Sequence, residues 1–405
     1  MLDAAQNAAR PCAGTTDDLI DWVLRHATVH DDLGTLVTGV SERLVAAGLP
    51  IWRASLDLPT IDPIFRAVSH RWRRDRPASV EVLPHGPGKD AVFQGSVIYH
   101  LLSSGLEARR WRLERGEGVA EFDLLRTLRE EGGTDYLLRL VGFGDGRSRV
   151  MGVALSIATD RPGGFAREEI ALINRLIPAL GLAAYRISAA RTAADALSVY
   201  LGPRTAQRVL AGEIRRGDGE TIAAAIFFAD LKRFTSLSER EDALRVVGWL
   251  NEHFEAVGDA VTQRGGEILK FLGDGLLAVF PIADIDRRPC PNCEDALRAA
   301  EEAVAANCAL NESRAARREP GLELDVALHF GEVVYGNVGA SRRLDFTVIG
   351  RAVNEACRME AICDQVGRNI VLSEAFARRC PVATIEIGTF ALRGIAGDRS
   401  IYALR

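Results

Sequence analysis

The chain has 405 residues, 50 Lys and Arg against 55 Asp and Glu, a net charge of −5 and 47% hydrophobic residues. That length implies roughly two to three domains, and the weak, mixed charge excludes a global field for nucleic acid or an anionic membrane. Seven cysteines over so long a chain argue against a disulfide framework. The N-terminus Met1-Leu2-Asp3-Ala4-Ala5 lacks the basic and apolar regions of a signal peptide. No apolar run approaches the ~20 residues of a membrane span, so a cytoplasmic protein is expected.

Apolar positions at helical spacing run from Thr16 to Ala47, through Leu19, Ile20, Val23, Leu36, Val40 and Leu44. The basic run Arg71 to Arg76 reads as a solvated face. Tyr136–Val141 and Arg149–Ile157 have strand character around a hairpin turn at Gly142–Gly146. His26, His30, His70, His85 and His100 lie in this half without partners at ligand spacing, and none is assigned as a ligand. Residues 1–165 thus read as one α+β module. A long helix follows from Ala166 to Leu201, with Ile170, Ile173, Leu176, Ile177 and Leu180 on one stripe. Such a stripe can bury against its own domain or against a twin helix in a dimer, and because it links two domains it is read as a paired signalling helix. Gly202-Pro203 breaks the helix, and a polar connector completes a linking segment, 166–216.

The second domain, 217–405, opens with the buried-strand pattern Ile222–Phe228. A helix over Asp242–Gln263 follows, then two strands within Glu267–Phe280 around the turn Gly273-Asp274-Gly275. Cys290-Pro291-Asn292-Cys293 has no further ligands nearby and reads as a loop before a helix over Glu294–Asn307. A strand Leu322–Phe330, a second strand Glu332–Val338 and a helix Asn354–Val366 complete the order β-α-β-β-α-β. The fold class is α+β, with a ferredoxin-like second domain.

Asp230 closes the first strand of this domain and Asp274 sits in the hairpin turn. Alone, each reads as a cap or turn residue. Together they can lie side by side, and paired carboxylates with open coordination suit Mg²⁺. The turn after Asp230, entering Phe234 and Thr235, offers backbone N–H groups to phosphate oxygens.

From about residue 217 onward the sequence resembles the class III adenylate/guanylate cyclases. Four stretches carry the resemblance in the family's order: Phe228–Thr235, Lys270–Gly275, Gly331–Gly339 and Asp345–Asn354. The resemblance implies that Asp230 and Asp274 bind metal, Mg²⁺ or Mn²⁺, two per active site. It implies that Lys270 reads the purine N1 and that Asn354 and Arg358 stabilise the transition state from one helix face. Lysine favours ATP here, since guanylate cyclases usually place glutamate at that position. Thr347 stands where many members carry aspartate; a bacterial branch has threonine, whose hydroxyl still accepts a hydrogen bond. Arg342 matches the arginine that holds the terminal phosphates, with Arg343 an equal alternative. Arg393, in Leu392-Arg393-Gly394, replaces a lysine that reaches the triphosphate. In the family the metal aspartates and the purine and transition-state residues come from different subunits, which implies a homodimer.

The reading is therefore an adenylate cyclase making cyclic AMP from ATP. A guanylate or mixed-specificity cyclase and a catalytically silent cyclase-fold sensor are the rivals. The turn Leu272–Leu276 holds no Gly-Gly-[Asp/Glu]-Glu-Phe stretch, which sets a diguanylate cyclase aside. The first module is similar in plan to GAF-type sensory domains, which implies regulation by an unidentified small-molecule or protein input.

Overall fold

The chain folds into two compact units, Met1–Ala196 and Leu197–Arg405. The structure is a computed structural model that describes residues 13–60, 65–86, 88–143 and 152–405.

In the first unit α1 (Ala13–Val29) and α2 (Leu33–Ala46) precede three strands, β1 (Arg53–Pro59), β2 (Phe65–Arg73) and β3 (Arg76–Pro84). Asp32 caps α2, its carboxylate accepting from the Thr35 N–H at 2.8 Å. Then come α3 (Lys89–Gln94), α4 (Val97–Ser103), β4 (Ala108–Trp111), α5 (Asp123–Glu130), β5 (Asp135–Gly142), β6 (Gly152–Thr159) and α6 (Arg167–Leu201). The six strands form an antiparallel sheet in the order β3-β2-β1-β6-β5-β4. One core joins Leu36, Val40 and Leu56 to Leu172, Ile173, Leu176, Leu180 and Ile187 of α6. A second core gathers Leu101, Trp111, Leu125 and Leu138. The turn expected at Gly142–Gly146 lies outside the described residues from 144 on, as do Arg149 to Met151 of the expected strand.

By length and composition alone, α6 is long and apolar enough to cross a membrane. The uninterrupted-run reading passes over it because Arg175 and Arg186 punctuate it. Half of its apolar window is buried in the protein, and Arg175 pairs with Asp17 at 2.8 Å. These are features of a core helix.

The second unit continues with α7 (Pro203–Leu210), β7 (Gly219–Leu231), α8 (Phe234–Ser238), α9 (Ala243–Gln263), β8 (Glu267–Leu272), β9 (Gly275–Ile282) and α10 (Pro291–Ala316). It ends with β10 (Leu324–Ala340), β11 (Arg343–Ile349), α11 (Arg351–Met359), α12 (Ile362–Val366), β12 (Ile370–Ser373), α13 (Glu374–Ala377), β13 (Thr384–Ala391) and β14 (Asp398–Leu404). The sheet runs β13-β14-β12-β10-β7-β9-β8, with β11 paired to β10. Alternation on β7 sends Ala225, Phe227 and Ala229 towards α9 and α10, and Ala224, Ile226 and Phe228 towards α11.

Two expectations need correction. The strands expected at Leu322–Phe330 and Glu332–Val338 are one continuous strand of 17 residues. Gly331, which seemed to divide them, is a point of close approach: a Cβ there would stand 2.5 Å from that of Ala352. The single helix expected over Asn354–Val366 is two, α11 and α12, separated at Glu360-Ala361. Cys290 and Cys293 open α10 itself, both buried, and burial pushes the Cys293 thiol up. Among the described residues, no group of three or more His, Cys, Asp or Glu side chains is arranged to hold a metal ion.

Candidate active site

Asp230 lies at the end of the central strand β7, one residue beyond the Ala229–Leu276 pair that joins it to β9. Asp274 occupies the tight β8–β9 turn beside it, after Gly273 with a φ of 70°. Gly275 lets the two approach, since a Cβ there would stand 3.0 Å from Asp230 Oδ1. Burial pushes the Asp230 carboxyl up to about 6, and the neighbouring Asp274 adds to the shift. Burial also raises Asp274. Two oxygen-donor carboxylates this close, each driven towards its neutral form, fit a hard divalent cation that would hold both ionised.

Three acidic residues that sequence reasoning missed complete this corner. Asp325 is the register partner of Asp230 across β10 and β7, is 1% exposed, and is raised by burial to about 6. Glu360, at the α11–α12 junction, is pushed up to about 7 by burial and then by Asp230, Asp325, Asp364 and Asp274. Lys232 supplies positive charge, its Nζ 3.2 Å from Asp325 Oδ1 and 3.3 Å from Asp364 Oδ1. The available signal was weak, two acids, Glu323 and Asp325, alternating with leucines at the start of an apolar strand pattern; the partner of Asp325 is visible only once β7 and β10 are in register.

The chain turns sharply after β7, where Arg233 holds a φ of 56°. That conformation costs a non-glycine residue about 1–3 kcal/mol. Phe234 does not offer its ring to a ligand: it is buried with Leu231, Trp249 and Leu322. With its ring buried, the part of Phe234 open to a substrate is its backbone. Thr235 lies in α8, and its side chain is outside the described residues.

Lys270 stands on β8 and donates from Nζ to Asp345 Oδ2 at 2.6 Å. This bond holds the Asp345 carboxyl below the usual carboxylate range. Asp345 and Thr347 are two apart on β11 and therefore share a face of the strand. The bond thus brings Lys270 to the face that carries Thr347.

Asn354 and Arg358 are one helical turn apart on the exposed side of α11, while Ala352, Val353, Ala356 and Met359 are buried. Between them Glu355 is buried and accepts from Arg399 Nε at 2.9 Å, which ties α11 to β14. Arg342 and Arg343 stand exposed at the β10–β11 turn, and Arg393 at the β13–β14 turn. Among the described residues, the side chains of Asn354, Arg358, Arg342, Arg343 and Arg393 have no hydrogen-bond or ion-pair partner.

Residues 219–404 match the family model of the adenylate and guanylate cyclase catalytic domain. This segment is a class III cyclase catalytic domain. An adenylate cyclase of Anabaena cylindrica is 34% identical to it over 194 residues, which are 46% of this chain and 36% of that protein. Adenylate cyclase 1 of Rhizobium meliloti is 32% identical over 179 residues, 43% of this chain and 26% of its own length. The chain therefore spans about a third or less of these curated relatives. The crystal structure of the adenylyl cyclase CyaB from P. aeruginosa aligns at 24% identity with a TM-score of 0.43, covering 46% of this chain and 96% of that one. Within the cyclase domain, the end of β7 and the β8–β9 turn hold the carboxylates, and α11, the β10–β11 turn and the β13–β14 turn hold the exposed cations.

Proposed function

We propose that this chain is an adenylate cyclase that converts ATP to 3′,5′-cyclic AMP and pyrophosphate at sites shared between two copies. The observation that carries the reading is the Asp230–Asp274 corner, two crowded carboxylates at the end of the central strands of a cyclase domain. These two residues would hold Mg²⁺ or Mn²⁺, two ions per site. Such ions supply acidification of the ribose 3′-hydroxyl and charge neutralisation at the phosphates.

The other roles belong to the chain's own side chains. Lys270 donates to adenine N1, and the Thr347 hydroxyl accepts from the 6-amino group. Asn354 orients the ribose so that its 3′-oxygen meets the α-phosphorus in line with the departing pyrophosphate. Arg358 donates to the α-phosphoryl oxygens as charge builds on them, and Arg342 and Arg393 hold the leaving phosphates. No covalent enzyme intermediate is required.

The dimer is supported by which residues lie open. The cations that should meet phosphate face solvent, and Phe271, Leu272, Val334, Val338 and Ile349 on β8, β10 and β11 are exposed apolar residues. A C2 pair built on that surface would complete two equivalent sites. The first unit, an antiparallel sheet with helices, is proposed as a GAF-like regulatory domain whose input is unidentified, and the whole as a cytoplasmic protein. Thr347 in place of aspartate keeps mixed use of GTP as a second reading.

The test is cyclic nucleotide formation by the purified full chain from ATP or GTP with Mg²⁺ or Mn²⁺. Asp274→Ala should lower cyclic AMP formation by about 10³-fold or more, judging from preorganised electrostatic groups elsewhere. Product from GTP alone would overturn the base assignment. No product from either nucleotide would overturn the catalytic reading.

A further inference from the structure

We infer that Lys232 is a positioning residue that fastens the helix pair carrying Asn354 and Arg358 to the strand carrying Asp230. It thereby joins the two half-sites that one copy contributes to two different active sites. The inference rests on the shared-site reading above.

Lys232 follows β7 directly, two residues after Asp230, and its ammonium reaches Asp325, the register partner of Asp230. The Lys232 side chain is 13% exposed, and its ammonium reaches three carboxylates on two other elements or their approaches. Asp325 Oδ1 on β10 is at 3.2 Å, Asp364 Oδ1 on α12 at 3.3 Å and Glu323 Oε2 at 3.8 Å. At these distances the ammonium holds the carboxylates by charge. The Lys232 backbone N–H also donates to the Glu323 carbonyl at 2.8 Å, so the stem of the side chain is itself fixed.

Asp325 faces Asp230 across the strand pair and is fully buried; among the described residues Lys232 is the cation paired with it. Without that ammonium two carboxylates on neighbouring strands would oppose each other with nothing between them. Asp364 places the second grip on α12, joined to α11 through Glu360-Ala361 alone. Glu355 and Arg399 secure the other side of α11, so Lys232 completes a two-point mount for the residues that meet the α-phosphoryl.

In a dimer with shared sites, Asp230 serves one site while Asn354 and Arg358 of the same copy serve the other. A residue that supported only the carboxylates would matter to one site alone. Lys232 should matter to both.

Mixing Asp274→Ala and Asn354→Ala copies, each silent by itself, tests this. The mixed dimer holds one complete site, with carboxylates from the Asn354→Ala copy and Asn354 and Arg358 from the Asp274→Ala copy. Random pairing should restore about a quarter of the wild-type rate. Lys232→Met is then placed in one copy at a time. Cyclic AMP formation should fall about tenfold in either placement, in kcat with little change in KM for ATP, and Lys232→Arg should restore it. Asp364→Asn should reduce the rate only in the Asp274→Ala copy, which supplies the helix. A loss confined to one placement of Lys232→Met, or to neither, overturns the inference. If Lys232→Met loses its melting transition, Asp364→Asn decides: an unchanged rate in the helix-supplying placement overturns the inference. If the parent mixture never regains activity, the shared-site reading falls first and this inference with it.

Discussion

The carboxylate corner and the cationic face of the cyclase domain follow opposite rules. At the corner Asp230, Asp325 and Glu360 are buried or half-buried, crowd one another, and are all driven towards the neutral form. On the other face Asn354, Arg358, Arg342 and Arg393 stand in solvent without side-chain partners among the described residues. Neither arrangement satisfies itself: one has an excess of negative charge out of water, the other unengaged positive charge in it. The contrast fits a reaction whose substrate brings anionic phosphate, accompanied by divalent cations, to a seam between the two.

The largest separation of the two faces should come from Arg358→Ala. It should lower kcat by about 10²–10³-fold, with the fold and melting temperature unchanged, because the side chain is exposed and, in the proposed mechanism, meets only the transition state. Stopped-time cyclic AMP assays beside a melting curve check both halves; a large loss of stability would break the comparison. Lys270→Glu should lower kcat/KM for ATP by about 10- to 100-fold and raise the relative use of GTP. It replaces the donor proposed for purine N1 with an acceptor and sets a second carboxylate against Asp345. Competition assays with both nucleotides would show it.

The corner should respond to pH without any substrate. Asp230 and Asp325 are raised to about 6 and Glu360 to about 7, so the folded chain holds protons that the unfolded chain releases at lower pH. Their contribution to stability is present below the ordinary carboxylate range and is lost as pH rises through about 6 to 7. Chelated protein should therefore melt a few degrees lower at pH 7.5 than at pH 5.5. Mg²⁺ or Mn²⁺ should recover much of the difference, and Asp230→Asn should flatten it. The smallest effect belongs to Phe234→Leu, about 1 kcal/mol of stability with kcat nearly unchanged, as a ring in a small apolar cluster requires. A selective loss of activity would return Phe234 to the substrate.

Most of the second unit was legible because its signals are local. The Ile222–Phe228 run, the Gly273-Asp274-Gly275 turn and the helix after Asp242 each depend on residues within one element. What escaped depends on elements meeting. Asp325 matters because β10 lies in register with β7, and Lys270 meets Asp345 because β8 approaches β11. Gly331 misled because a glycine in an apolar strand looks the same whether it makes a turn or admits a neighbour. In the first unit α1, α2, α6, β5 and β6 were legible, while α3 to α5 and β1 to β4 were not; β3 is a charged, exposed strand at the sheet edge, without the alternation that marks a half-buried one.

The bare backbone at Gly331 also sets a limit on how this protein can be altered. Ala352 rests on it, and two residues further along the same helix stands Asn354. A side chain of any size at 331 would press on Ala352 and act as a shim beneath α11, shifting the row of residues that the helix carries. An engineer wishing to retune the enzyme by small displacements of that helix would find at this position a coarse adjustment, whose smallest step is one methyl group.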